Sequence, residues 1–453
     1  MTAEPAAPLY PLDAALWWQS RLLLRRYSGF VLEGAGQGYS YLGLQPVRSW
    51  TSTATTTTVQ TAAGTEQLSL DPFAAVEHFW QPSGHTSSVP FVGGLVGYFA
   101  YEVAPWCEST VAAHESDLPL SAWMQVDSVL VWDHAKETAW LAIRPGTDIA
   151  AEKARWDTLW AELAETPPEP TPFTAQDLRR NVDADGYGAW VRAAQAHITA
   201  GDIYQANLAI TFEAEATGDP FTCYERLRAV NPGPYNGYLN FGDLQIVSGS
   251  PERLIRKEGR HVITRPIAGT RRRGRNEQDD QAMADELLLN PKERAEHIML
   301  VDLSRNDLGR ICRPGSVRVD ELMVIESYSH VHHIVSNVIG ELADDQSWQL
   351  IVRALFPGGT ITGAPKVRAM QIIQALETGP RGIYTGAIGY LADSGDLDLN
   401  IAIRTAVVYG GRIRWHAGAG IVADSIPARE YAECGHKARA LQLAIGIEET
   451  AHV

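Results

Sequence analysis

Between residues 166 and 174 the chain reads TPPEPTPFT, with Pro167, Pro168, Pro170 and Pro172. Proline fixes φ and has no N–H to donate, so neither a helix nor a central strand can pass through this stretch. The sequence therefore reads as three parts. A sheet-rich region over 1–165 packs on the core, a Pro-rich linker covers 166–180, and a second region covers 181–453.

The two regions differ in texture. TSTATTTTVQTA at 51–62 predicts an exposed strand, because threonine suits a pleated surface, and SAWMQVDSVLVWDH at 121–134 predicts more sheet. Beyond the linker, helices and strands come in runs. Residues 187–200 are amphipathic and stop at Gly201. Residues 244–250 and 261–267 read as strands, and 279–304 as a long helical stretch broken near Asn290 and Pro291. Residues 381–392, 399–409 and 412–423 predict three consecutive strands. A closing helix follows over 425–445, with Ser425 as N-cap and Pro427 in the first turn. Runs of this kind indicate an α+β fold rather than a parallel α/β array.

Charge and cysteine content narrow the function. The 453 residues carry 38 Lys+Arg against 54 Asp+Glu, a formal net charge of −16. That balance argues against nucleic acid as a partner, since phosphate binding needs clustered cations. An anionic small molecule stays possible where a local basic site or a metal reverses the potential. Cys107, Cys223, Cys312 and Cys434 are far apart and form no C-x-x-C, which fits a reducing, cytoplasmic setting. Glu4 and Asp13 precede the first arginine, so no secretory signal is expected. The longest apolar run, 91–101, contains three glycines and is about half a membrane span, so no membrane association is expected.

Carboxylate spacing is the strongest chemical signal. Glu293 and Glu296 are three apart on one predicted helix; Glu430 and Glu433 are three apart on another, with Lys437 four further on. Each set shares a helical face. Two such faces can build an oxygen-ligand site for Mg²⁺, although the spacing alone equally fits solvated faces with local ion pairs. Three glycine-bearing loops, RPIAGTRRRG at 265–274, FPGGTITGAPK at 356–366 and WHAGAG at 415–420, would let backbone N–H groups approach an anion. Ordinary turns would look the same. No G-x-x-x-x-G-K-[ST] occurs, and in EGAGQGYSYLG at 33–43 Tyr39 takes the third glycine position of a dinucleotide fingerprint. His330, His332 and His333 lack the partners of a zinc site; one catalytic histidine with surface neighbours is the simpler reading. Neither G-x-S-x-G nor G-x-C-x-G is present, so there is no evident hydrolase or glutaminase nucleophile.

Taken together, KERAEHIMLVDLSRNDLGRI, RPIAGTRRRG, FPGGTITGAPK, IAIRTAVV and AGAGIVADS, with GGLVGYFAYE at 93–102, resemble the chorismate-utilising enzyme family. The resemblance implies an antiparallel β-sheet sandwich with surrounding helices, the 181–453 region being the chorismate-binding part. It implies Mg²⁺ on Glu296 and Glu433, with Glu293 and Glu430 beside them. Tyr384, Arg404, Gly418, Gly420 and Lys437 would form the pocket for the enolpyruvyl carboxylate. Gly269 and Thr270 would line the ring side, near Thr362 and Gly363. Glu252 matches a general acid and His333 the catalytic histidine.

Members of the family that add water carry a lysine base where this chain has Gln205. Ammonia needs no strong base, so the resemblance implies amination, with ammonia from a separate glutamine amidotransferase subunit. Two branches aminate chorismate. YQANL, SPERL, Asn400, the chain length and FVLEGAG at 30–36 favour the branch forming 4-amino-4-deoxychorismate for p-aminobenzoate and folate. Ala268, where that branch often has a nucleophilic lysine, is shared with the anthranilate-forming branch.

Overall fold

The computed structural model describes residues 7–34, 38–328, 331–344 and 346–447. Two twelve-stranded sheets, built from antiparallel pairings, carry eleven α-helices among the described residues. Alternation along the strands explains why the sheets stack. On the strand Gly94–Phe99, Val96 and Tyr98 join an apolar cluster with Phe30, Tyr41, Leu239, Ile246, Tyr390 and Val407, drawn from both sheets. Leu95 and Phe99 point the other way, to Phe73, Val76 and Leu355 of the outer helices. Residues i and i+2 share a face, so each sheet contributes one face to a common interior and one to a helix layer. The α+β sandwich expected from the sequence is the observed architecture.

Segments on either side of the Pro-rich stretch share both sheets. In the first sheet the seam is Gly29–Glu33 against Tyr235–Asn240. In the second it is Gly94–Phe99 against Ala387–Ala392. A side chain at Gly94 would run into the Leu391 carbonyl, so the close approach needs glycine. Residues 166–173 are irregular and lead from the helix Ile149–Glu165 into an edge strand, Thr174–Arg180.

Several local expectations change. The threonine run is not one strand but a hairpin, Arg48–Ser52 with Thr57–Thr61, because the Thr53 hydroxyl and Thr56 close a turn. The three strands near the end are four: Ala387–Ala392, Leu397–Ile401, Thr405–Tyr409 and Arg412–Ile421. The middle run breaks at Arg404, whose φ is +50°, and its halves enter different sheets. Ser425 is not the N-cap of the last helix, Pro427–Ile445; its hydroxyl accepts from the Val422 N–H instead. Asn290 does separate two helices, Glu277–Leu289 and Pro291–Gly309, and its side chain caps the second.

Phe30 lies between the sheets against Phe91. Phe30→Ala is expected to lower the unfolding free energy by about 3–5 kcal/mol. A urea titration showing less than about 1 kcal/mol would mean the sheets do not share this core.

Candidate active site

The chain changes sheets twice at one place. Leu244–Ser250 passes through Pro251 and Glu252 into Arg253–Glu258, and Leu397–Ile401 returns through 402–404 into Thr405–Tyr409. The two crossings are bonded: Ile401 N–H donates to the Glu252 carbonyl at 2.9 Å, and Gly249 N–H to the Arg404 carbonyl at 3.0 Å. Glu252 and Arg404 therefore sit one on each of two crossings that are bonded to each other.

Arg404 donates to Asn231 Oδ1 at 3.0 Å and has no carboxylate partner among the described residues. Burial works against its charge. The arginines of RPIAGTRRRG are in the opposite state: Arg271 pairs with Glu286 and Glu293, Arg272 with Asp279, and Arg273 with Asp280. Lys366 of the FPGGTITGAPK loop is buried on Asp307 at 2.7 Å. Unlike those loop cations, Arg404 has no carboxylate partner among the described residues, and its planar fork suits the carboxylate of a ligand.

Glu252 is 5% exposed, and its Oε1 has no hydrogen-bond partner among the described residues. Burial lifts its pKa to about 7, while the Thr360 hydroxyl and the Ile267 amide pull the other way. It can hold a proton near neutrality and deliver it. His333 lies 3.2 Å through Nδ1 from the Gly269 carbonyl and 3.1 Å from the Thr270 hydroxyl. Nδ1–H donates to that carbonyl, leaving Nε2 as acceptor. Burial, with Arg404 nearby, lowers its pKa to about 4, so the ring is neutral. The expectation of surface neighbours fails for His332, which is buried between Asp280 and Ser327; His330 lies outside the described residues. Ala268 is buried beside them and offers no reactive group.

The strand Gln205–Thr217 supplies another wall, paired with Arg412–Ile421. A side chain at Gly420 would strike the Gln205 amide, and one at Gly418 would strike Asn207 Oδ1 and the Tyr384 hydroxyl. The tyrosine ring stacks on His416 at 5.3 Å. Gly363, at φ +138°, brings its loop against the Gln205 carbonyl; the neighbouring Thr362 hydroxyl donates to the Gly358 carbonyl inside that loop.

Lys437 Nζ donates to the Gly418 carbonyl at 3.0 Å and pairs with Glu433 at 2.8 Å, which ties the last helix to this wall. Across from it, Glu296 is raised by burial, then by Glu293 and Glu433; Lys292 and Lys437 oppose the shift. Glu430 is raised by burial and by Glu433, against a bond from Ser425. Glu296 thus lies within electrostatic reach of Glu433 and Lys437 on the last helix. Among the described residues no three His, Cys, Asp or Glu side chains converge closely enough to cage a metal by themselves. Carboxylates are nonetheless the donor type a hard cation prefers.

Sequence reasoning missed Arg381, which is 2% exposed. It pairs with Glu377 at 2.6 Å and donates to the Asn207 carbonyl at 2.6 Å and the Ile361 carbonyl at 3.3 Å. It thereby joins the strand, the loop and the Tyr384 turn. Its neighbours in RGIYTG gave no sign that this arginine was the buried one. A cavity of about 820 Å³ is lined by Tyr235, Arg253, Tyr390 and Asn400, from both sheets; Glu252, His333 and Arg404 do not line it.

Burial of Glu252 has a stability consequence. Its folded pKa, about 7, exceeds an unfolded value of about 4.3, so the folded state holds the extra proton and stability falls as pH rises between them. Glu252→Gln lacks this loss. Its melting temperature relative to wild type is expected to rise from pH 4 to pH 8; a constant difference would rule out the buried proton.

The chorismate binding enzyme family profile matches residues 27–443. Aminodeoxychorismate synthase component 1 of Bacillus subtilis is 42% identical over 98% of each chain. Anthranilate synthase component 1 of Thermus thermophilus is 44% identical over 86% of each. The crystal structure of anthranilate synthase component I from Streptococcus pneumoniae superposes with a TM-score of 0.80 at 35% identity, covering 90% of this chain and 93% of that one.

Proposed function

The chain belongs to the chorismate-binding enzyme family, and from that premise we propose that it aminates chorismate with ammonia to 4-amino-4-deoxychorismate. The observation that carries the reading is Gln205: a buried, neutral amide, its Oε1 without a partner among the described residues, stands where a hydrating enzyme needs a base. An amide cannot take a proton from attacking water, whereas ammonia is already a nucleophile.

Arg404 receives the enolpyruvyl carboxylate, with Tyr384 and Lys437 beside it. Glu252 protonates the departing C4 hydroxyl. Gly269, Thr270 and His333 line the ring, with His333 Nε2 free to accept a proton. Glu296 and Glu433 would hold Mg²⁺, flanked by Glu293 and Glu430. When bound, the cation would offset the repulsion between a dianionic substrate and this acidic wall. Burial pushes all four thiols up, to about 11 for Cys312 and about 12 for the others, so none suits a glutaminase nucleophile. Ammonia would come from a separate amidotransferase subunit.

Near full-length similarity to the Bacillus subtilis synthase favours this product. Ala268 favours a second reading, amination at C2 and pyruvate loss to anthranilate, because no lysine is available for covalent attack on the ring. Incubation with chorismate, Mg²⁺ and ammonium at alkaline pH separates them. p-Aminobenzoate formed only after a lyase is added is the expected result; fluorescent anthranilate without a lyase would overturn it. Glu433→Gln is expected to abolish turnover with the fold intact, and full activity in that variant would remove Glu433 from the metal site.

A further inference from the structure

Two amide oxygens in the site are buried without a donor among the described residues, Gln205 Oε1 and Asn207 Oδ1. They sit two residues apart on one strand and so share a face. Gly420 and Gly418 on the paired strand leave the room these amides occupy, and the Tyr384 hydroxyl approaches the same gap beside Asn207. The Asn207 backbone is fixed on both sides: its N–H donates to the Thr362 carbonyl at 2.9 Å, and its carbonyl accepts from Arg381 at 2.6 Å. The side chain is therefore aimed, and its acceptor left open. Such a group is costly unless something that binds there satisfies it.

We propose that Asn207 Oδ1, with Gln205 Oε1, seats the incoming ammonia, a role for Asn207 that rests on the amination reading above. Ammonia has three N–H donors and one lone pair. Two donors engage the amide oxygens, and the lone pair faces the ring. As the C–N bond forms from that lone pair, the hydroxyl leaves as water with the proton from Glu252. The nitrogen becomes cationic, and two fixed carbonyl dipoles stabilise it. Its surplus proton passes to solvent or to a second ammonia. Water in this seat would become a far stronger acid needing immediate deprotonation, which neither amide can perform.

The test uses the full chain with chorismate, Mg²⁺ and varied ammonium, following nitrogen incorporation by product mass. Asn207→Leu removes the acceptor at similar volume; Asn207→Ala does so without bulk against Gly418, should the first fail to fold. The expected result is an ammonium KM raised about tenfold or more, with the chorismate KM within about twofold of wild type. An unchanged ammonium KM with lower kcat, or a raised chorismate KM, would overturn the assignment of Asn207 alone. Wild-type turnover without nitrogen incorporation would overturn the amination reading and this inference together.

Discussion

The site depends on a constraint of chain tracing: two crossings between the stacked sheets occupy the same place and hold each other. A strand that changes sheets leaves backbone groups outside both ladders, and these must find partners. Here each crossing satisfies the other, Ile401 bonding to Glu252 and Gly249 to Arg404. The arrangement fixes an acid and a cation by backbone rather than by side-chain preference. The turn at Arg404 needs a positive φ that few side chains adopt readily, and the surrounding bonds are what hold it there.

Much of this was legible in the residues. The spacing of Glu293 with Glu296 and Glu430 with Glu433 fixed which faces carry charge, and Asn290 marked where one helix ends and the next begins. Periodicity reports faces, however, not sheet membership. The run from 399 to 409 reads as one strand because both halves are apolar and β-branched; only tertiary pairing shows that they part at Arg404. Ion-pair choice was equally hidden. Arg271, Arg272, Arg273, Arg381 and Arg404 are alike as letters, yet the first four find carboxylates and the last does not. Ser425 looked like a cap because serine suits that position, but a local turn took its hydroxyl.

The acidic balance takes on a spatial meaning. A net −16 would repel a dianion at long range; the loop cations Arg271, Arg272, Arg273 and Lys366 are paired with carboxylates, whereas Arg404 bonds only to a neutral amide among the described residues. The unpartnered oxygens of Gln205, Asn207 and Glu252 sit within the same wall and crossing. Buried polar groups without partners oppose folding, and such concessions gather at functional sites.

The seams between early and late segments bear on how the molecule is made. Gly94–Phe99 pairs with Ala387–Ala392, roughly 300 residues further along, and Gly29–Glu33 pairs with Tyr235–Asn240. On a ribosome the early strands emerge long before their neighbours exist, and each would present an unpaired edge for the whole interval. Neither sheet can close until nearly the entire chain has been synthesised. Protection of those nascent edges, rather than the final packing, becomes the demanding phase of this protein's biogenesis.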